Sequence, residues 1–324
     1  MGTAPVPVLV LFGPTASGKT GILLELFNSQ NGLKAEVVSA DSMQVYRGMD
    51  IGTAKPSPEE RAQLPHHLID IRDPSQQFNA GDFVRLADEA CLQIAGRGNL
   101  PVVSGGTGFY LKNFILGLSE APPSDGKIRA QLKQELKEKG AAALMEELAA
   151  CDPISAKRIH INDEYRLLRA LEAFRSCGRP LSSFEVNAVE KRACFRFIVI
   201  GLSRPREELY ARINERCDQM FRKGLAAEVR SLYEAGYTPN DPGLRAIGYR
   251  EFFVEDLTTN NWSDKWRLSQ DIEGVQALVA QNSRRYAKRQ ITFFAGIPDV
   301  KWIEGGNSEA ETAARIRREL ETVL

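Results

Sequence analysis

Gly13-Pro14-Thr15-Ala16-Ser17-Gly18-Lys19-Thr20 decides how the rest of the chain is read. It follows the apolar run Val8-Leu9-Val10-Leu11-Phe12 and precedes Gly21-Ile22-Leu23-Leu24-Glu25-Leu26, an amphipathic run. Strand, glycine-bounded loop, then helix is the setting in which G-x-x-x-x-G-K-[ST] cradles phosphate. Gly13 and Gly18 let the backbone curl so that successive N–H groups face one anion. A helix starting near Lys19 adds its positive dipole end. Lys19 brings a mobile full charge, and the Thr20 hydroxyl can ligate Mg²⁺. Which phosphates the loop holds is left open by the loop itself.

Outward from that loop, 324 residues suggest about two domains. A hydrophobic fraction of 43% supports a sizeable core. Lys and Arg number 42, as do Asp and Glu, so a strongly basic nucleic-acid footprint is excluded and polyanion contact must use local patches. Cys91, Cys151, Cys177, Cys194 and Cys217 are scattered without a C-x-x-C pair. They read as reduced thiols of a cytoplasmic protein, not as a disulfide frame or zinc site. His66, His67 and His160 lack metal-ligand spacing. No apolar run approaches the ~18 residues of a membrane span, and a strand in place of a leader opens the chain.

Ala35–Ala40 reads as a short buried strand ending at Asp41. A carboxylate at the carboxyl end of a parallel strand lies where open α/β sheets place ligands; by itself Asp41 would equally suit a helix cap. Residues 41–56 follow neither the helical nor the strand period and are rich in polar residues and glycine, as in a structured active-site loop. Leu68–Ile71 is a second candidate strand, Ala80–Ile94 a helix, and Leu100–Ser104 a buried strand running into Gly105-Gly106-Thr107-Gly108. Phosphate-loop ATPases usually carry a magnesium-holding aspartate at that strand end. Its absence argues against a motor or switch ATPase. The glycines permit close backbone approach to a ligand, with the Thr107 hydroxyl as a polar handle.

Ser119–Gly126 is a compositional break. From 127 to 188 only helices are expected: a pair around Gly140, a short one at Ile154–Ile159, and Glu164–Cys177 stopped by Gly178-Arg179-Pro180. We read 119–194 as a helical insertion in a core built from 1–118 and 195–324. Arg166 and Arg169 share a helix face, although a solvated face has the same spacing. Cys194–Leu202 returns as a strand, followed by helices over Arg206–Phe221 and Ala226–Ala235 and a turn-rich connector at Pro239–Tyr249. Arg212 and Arg216 sit four apart and could face one anion. The helix Ile272–Phe294 carries Arg284, Arg285, Lys288, Arg289 and Gln290, the best candidate for contact with a polyanion. A strand at Val300–Ile303 and a helix at Ser308–Leu324 close the chain. The residues alone support an α/β phosphate-loop transferase with a helical arm, a small-molecule kinase being the default.

Combined, the motifs are narrower. Gly13–Thr20, the run Asp-Ser-Met-Gln-Val-Tyr-Arg-Gly-Met-Asp-Ile-Gly-Thr-Ala-Lys-Pro at 41–56 and Gly-Gly-Thr-Gly-Phe-Tyr at 105–110 resemble the bacterial tRNA dimethylallyltransferases. So do Asp152-Pro153, Ile159-His160, Asn162-Asp163, Arg169-Ala170-Leu171-Glu172, Ala246-Ile247-Gly248-Tyr249-Arg250 and Ala287-Lys288-Arg289-Gln290-Ile291-Thr292. The resemblance implies a P-loop NTPase-like core, its parallel sheet flanked by helices, with an all-helical insertion. It implies transfer of a dimethylallyl group from dimethylallyl diphosphate to the exocyclic amine of the adenosine on the 3′ side of a tRNA anticodon. Gly13, Pro14, Thr15, Ala16, Ser17, Gly18, Lys19 and Thr20 would hold the donor diphosphate instead of ATP, with Mg²⁺ at Thr20. Asp41 would be the general base, Thr107 the residue beside the reacting centre, and Arg216 a diphosphate ligand. Contacts to the tRNA anticodon stem-loop are implied at Asp41, Ser42, Met43, Gln44, Thr107 and Arg129; at Tyr165, Arg166, Leu167, Leu168 and Arg169; at Arg245, Ala246, Ile247, Gly248, Tyr249 and Arg250; and we add Lys288, Arg289 and Gln290 from the basic helix. A monomeric, cytoplasmic protein without membrane contact is expected.

The sequence departs from the family pattern at Ile161, Leu225, Phe293 and Ala295, outside the expected catalytic set; the loss of an arginine at Ala295 would weaken tRNA affinity. No zinc-finger set follows residue 304, as in the shorter bacterial type. Transfer to a free adenine nucleotide is the rival within the prenyl class, and the insertion and basic helix favour a macromolecular acceptor.

Overall fold

A computed structural model describes residues 4–28, 32–184, 192–256 and 265–323. The chain divides into two compact units, one of residues 1–115 and 192–324, the other of residues 116–191.

The first unit is built on β1 (Val6–Phe12), whose residues Val8 to Phe12 are wholly buried. The phosphate loop leads to α1 (Lys19–Leu26), then β2 (Ala35–Ala40), α2 (Pro58–Gln63), β3 (His66–His67), α3 (Ala80–Gly96), β4 (Leu100–Gly105) and α4 (Gly108–Leu116). After the second unit come β5 (Phe195–Ser203), α8 (Arg206–Arg222), α9 (Leu225–Glu234), the hairpin β6 (Phe253–Glu255) and β7 (Trp266–Leu268), α10 (Ile272–Phe294), β8 (Lys301–Glu304) and α11 (Glu309–Glu321). Six strands form one sheet in the order β3-β2-β4-β1-β5-β8. Every pairing is parallel, and Leu9 of β1 lies between Val102 of β4 and Ile198 of β5. Helices cover such a sheet on both faces, so its inner strands read as continuous apolar runs, not alternating ones. The carboxyl ends of β1, β2 and β4 deliver Gly13, Asp41 and Gly106 to one edge.

The strand expected at 68–71 is corrected to His66–His67, which pairs with Val37 and Val38. Leu68 and Asp70 have φ of 63° and 57°, a left-handed backbone that no strand accommodates. Sequence reading also passed over α2, although Ser57 and Glu60 form a full capping box at its start, and over α4 and the β6–β7 hairpin. Where the excursion of residues 116–191 begins and ends, Arg192 packs its guanidinium over Phe114 and Phe195, 4.8 and 5.0 Å from the ring centres. It also forms a forked pair with Asp88 at 2.7 and 2.8 Å.

The second unit is helical among the described residues: α5 (Gly126–Cys151), α6 (Pro153–Arg158) and α7 (Glu164–Cys177). α5 breaks at Gly140, whose φ of 79° and ψ of 168° separate two helical segments. Leu132, Leu144, Leu148, Leu167, Leu168 and Leu171 form its core. Residues 185–188 of the expected helical stretch, and Leu324, lie outside the described residues.

Candidate active site

The phosphate loop is held from outside as well as by its own turns. Gly18 has φ of 93°, a conformation only glycine adopts freely. Arg212 Nε donates to Ala16 O at 2.8 Å and Arg204 Nε to Ser17 O at 3.0 Å. Gln290, on α10, accepts from Thr15 N at 2.9 Å and donates to Gly106 O at 2.7 Å. These bonds tie up outward-facing loop groups. Lys19 Nζ donates to Gly13 O and Pro14 O at 2.9 and 3.0 Å. Burial, then the neighbouring Arg216, pulls the Lys19 ammonium down to about 7, against the pull of Asp41. Burial also lowers Arg216, again opposed by Asp41, and its Nη1 donates to Thr15 Oγ1 at 3.1 Å. Two cations confined beside the loop call for an anion.

Asp41 closes the carboxyl end of β2. Its Oδ1 accepts from Met43 N at 2.8 Å and Gln44 N at 3.3 Å, whereas no described residue hydrogen-bonds Oδ2. One oxygen orients the carboxylate and the other is open to a ligand. Thr107 N donates to Ala40 O at 3.1 Å, and Thr107 Oγ1 accepts from Ser42 N at 3.0 Å. The loop after Asp41 is anchored by Glu228 of α9, which accepts from Asp50 N, Ile51 N and Gly52 N at 2.8–3.1 Å. Glu228 also accepts from Tyr249 Oη at 2.6 Å. Lys55, its side chain 3% exposed, bridges Asp50 and Asp70.

Two cavities meet here. A cleft of about 920 Å³ is lined by Lys19, Thr20 and Arg212 among others. A neighbouring cavity of about 350 Å³ is lined by Ser42, Met43, Arg245, Gly248 and Arg289 among others. Thr15, Asp41, Thr53, Arg216, Met220 and Tyr286 border both. Tyr286 was not anticipated. Burial, then Asp41, raises its phenol to about 12, and Arg289 opposes the rise. Its one sequence signal is position: it stands four residues before Gln290, on the same face of α10.

The expected tRNA-contacting residues divide by exposure. Tyr165 (71% exposed) and Arg166 lie on the surface, as do Arg245, Arg250, Lys288 and Arg289. Ala246, Ile247 and Gly248 line the smaller cavity. Leu167, Leu168 and Tyr249 are corrected: their side chains are core, at 0–4% exposure. Arg129 and Arg169 both pair with the wholly buried Glu172, and Arg129 also lies 4.7 Å from the Tyr165 ring centre. Gln44 spends its amide on Ser39 Oγ and the carbonyls of Thr53 and Ala54. Gln290 is likewise a brace, 4% exposed, because its amide holds two loops together. Thr20 lines the cleft. Among the described residues no three His, Cys, Asp or Glu side chains gather as metal ligands.

A phosphate-gripping loop beside a carboxylate, with a second chamber behind it, defines a phosphate-loop group-transfer enzyme. The IPP transferase family model matches residues 44–296. The tRNA dimethylallyltransferase of Geobacter sulfurreducens is 45% identical over 300 residues, 92% of this chain and 91% of its own. A Pelobacter propionicus protein of that name is 42% identical over 94% of each chain. Among solved structures, the tRNA isopentenylpyrophosphate transferase of Bacillus halodurans matches with a TM-score of 0.65 at 37% identity, covering 98% of this chain and 97% of that one. A eukaryotic dimethylallyltransferase acting on tRNA matches with a TM-score of 0.76 at 26% identity, covering 98% and 80%. The chain belongs to the IPP transferase family, the tRNA dimethylallyltransferases.

Proposed function

We propose that this enzyme moves a dimethylallyl group from dimethylallyl diphosphate to the exocyclic amine of an adenosine beside a tRNA anticodon. The observation that carries the reading is Asp41, which borders both cavities and keeps one carboxylate oxygen unengaged by described residues. The diphosphate takes the larger cleft, against the loop N–H groups, Lys19, Arg212 and Arg216. The adenine, turned out of its stack as base-modifying enzymes require, takes the smaller cavity. The amine's lone pair is delocalised into the ring, so it attacks poorly until its proton is drawn off; Asp41 Oδ2 accepts that proton as the C–N bond forms. The C–O bond to diphosphate breaks with it, and Lys19 and Arg216 stabilise the negative charge of the leaving group.

The protein oxygens suit a magnesium ion held mainly by substrate. Such ions take one or two protein ligands and keep phosphate and water for the rest, and the Thr20 hydroxyl would be the protein ligand here. A bound Mg²⁺ would supply positive charge against the diphosphate. On the surface, Arg245, Arg250, Lys288 and Arg289 supply phosphate contacts, and Tyr165 supplies a ring on which a loop base stacks.

The test is mass analysis of nucleosides from tRNA incubated with enzyme, labelled donor and Mg²⁺, beside a reaction offered AMP. Prenylated adenosine in the tRNA digest is expected. Prenyl-AMP with unmodified tRNA would overturn the macromolecular acceptor, and phosphate transfer from ATP without prenyl transfer would overturn the whole reading.

A further inference from the structure

Glu172, on α7, is wholly buried, and the chemistry above makes no use of it. Both carboxylate oxygens are filled. Oε1 accepts from Ser124 Oγ at 2.5 Å and Asp125 N at 2.8 Å. Oε2 accepts from Arg129 Nη1 at 2.9 Å and Arg169 Nη1 at 3.4 Å. Burial resists its ionisation, yet hydrogen bonds from Ser124 and Arg129 hold the carboxyl below its usual range. The two arginines are left in different states. Arg169 also spends Nη2 on Pro122 O, so its guanidinium is fixed at both ends. Arg129 is held by Glu172 at Nη1 and lies 4.7 Å from the centre of the Tyr165 ring. Its side chain is 17% exposed, and Tyr165 is 71% exposed. Among the described residues no hydrogen bond engages Arg129 Nε or Nη2.

We propose that Glu172 is a positioning residue for RNA binding: it fixes Arg129 against the Tyr165 ring, so that a backbone phosphate, beside a base stacked on that ring, meets a guanidinium already in place. This rests on the RNA acceptor proposed above. The Nε and Nη2 edge left over is the rigid fork that matches two phosphate oxygens. One carboxylate against two guanidiniums leaves the cluster net positive, as an anion receptor requires. A side chain ordered before contact gives up little rotamer freedom on binding. The role is expressed in affinity for RNA and not in turnover, because the transfer scheme assigns no step to these side chains.

Glu172→Gln keeps the volume and removes the charge that anchors Arg129. Titration with tRNA, followed by fluorescence anisotropy, should show Kd raised about 3- to 10-fold. Steady-state prenylation should keep kcat at saturating tRNA, and KM for donor, within about threefold of the parent. Because Glu172 acts through Arg129, the double variant Glu172→Gln with Arg129→Met should bind tRNA no more weakly than Arg129→Met alone. Parental affinity in Glu172→Gln would overturn the proposal. So would losses that multiply in the double variant, which is what a merely structural role gives. If Glu172→Gln failed to fold, Arg129→Lys would decide, since it keeps the ion pair with Glu172 and loses the fork. There Kd should again rise about 3- to 10-fold, and parental affinity would overturn the proposal equally. A parent enzyme that leaves tRNA unprenylated is a different result, and counts against the acceptor itself.

Discussion

Asp41 does two jobs with its two oxygens, and a substitution can separate them. Asn in its place keeps an oxygen for Met43 N and Gln44 N and removes the base. Asp41→Asn should lower turnover by about 10²–10⁴ while leaving donor affinity intact by calorimetry. Parental turnover would reduce Asp41 to a turn former. Lys19 adds a pH signature. Its folded value of about 7 lies below the ordinary 10.5, so the unfolded chain binds more protons between those limits and the free protein gains stability as pH rises from about 7 to 10.5. A diphosphate restores the ammonium. Donor binding at pH 8 should therefore take up a proton, read from calorimetry in two buffers of different ionisation enthalpy, and should weaken as pH rises further; binding without proton uptake would show that Lys19 is already charged. At this scale the sequence was legible where chemistry is local, as in Gly13–Thr20 and Asp41. Arg204 and Glu228 stayed hidden because their partners in the phosphate loop and the 41–56 run are far away in the chain.

The run at 41–56 is an element without regular hydrogen bonding, and its shape comes from α9. Glu228 replaces the missing ladder for Asp50, Ile51 and Gly52 and also holds Tyr249. Glu228→Ala should cost on the order of 3 kcal/mol, the scale of several charge-assisted bonds lost at once. Limited proteolysis should then cut first within 41–56; cleavage elsewhere, with that run intact, would mean the loop stands unaided. Gly105 marks another tight place, where an added Cβ would lie 2.1 Å from Ala40 O. Gly105→Ala should destabilise the sheet by about 1–3 kcal/mol, the usual range for overpacking, measured by urea unfolding. Element boundaries with a strong period were readable, and α10 spans the expected Ile272–Phe294. β3 was misplaced because a two-residue strand has no period to read; its position follows from pairing with Val37 and Val38.

Across the whole molecule, acid stability is spread over both units. In the first, hydrogen bonds from Arg97 outweigh burial and hold Glu36 at about 2. In the second, burial opposes ionisation of Asp152, yet hydrogen bonds from Ser155 and Ser182 still bring it to about 2. Both values lie below those of the unfolded chain, so this stability is complete above about pH 5 and is lost as pH falls towards 2. Thermal unfolding should be flat from pH 7 to 5 and fall steeply below pH 4.5. Glu36→Gln and Asp152→Asn, measured separately, should each flatten part of that fall; unchanged slopes would place the acid lability elsewhere. A change in residue pattern suggested a helical stretch at 119–194, because parallel strands and amphipathic helices write different periods; the second unit runs over 116–191.

Arg192, clasped by Asp88 and roofed by Phe114 and Phe195, closes the neck of the detour at 116–191 with ring and ion-pair contacts that, among the described residues, come from the sheet unit. A collar of that kind separates inheritance of the chemistry from inheritance of the arm. Descendants can lengthen, trim or exchange the intervening helices while the strands on either side keep their places.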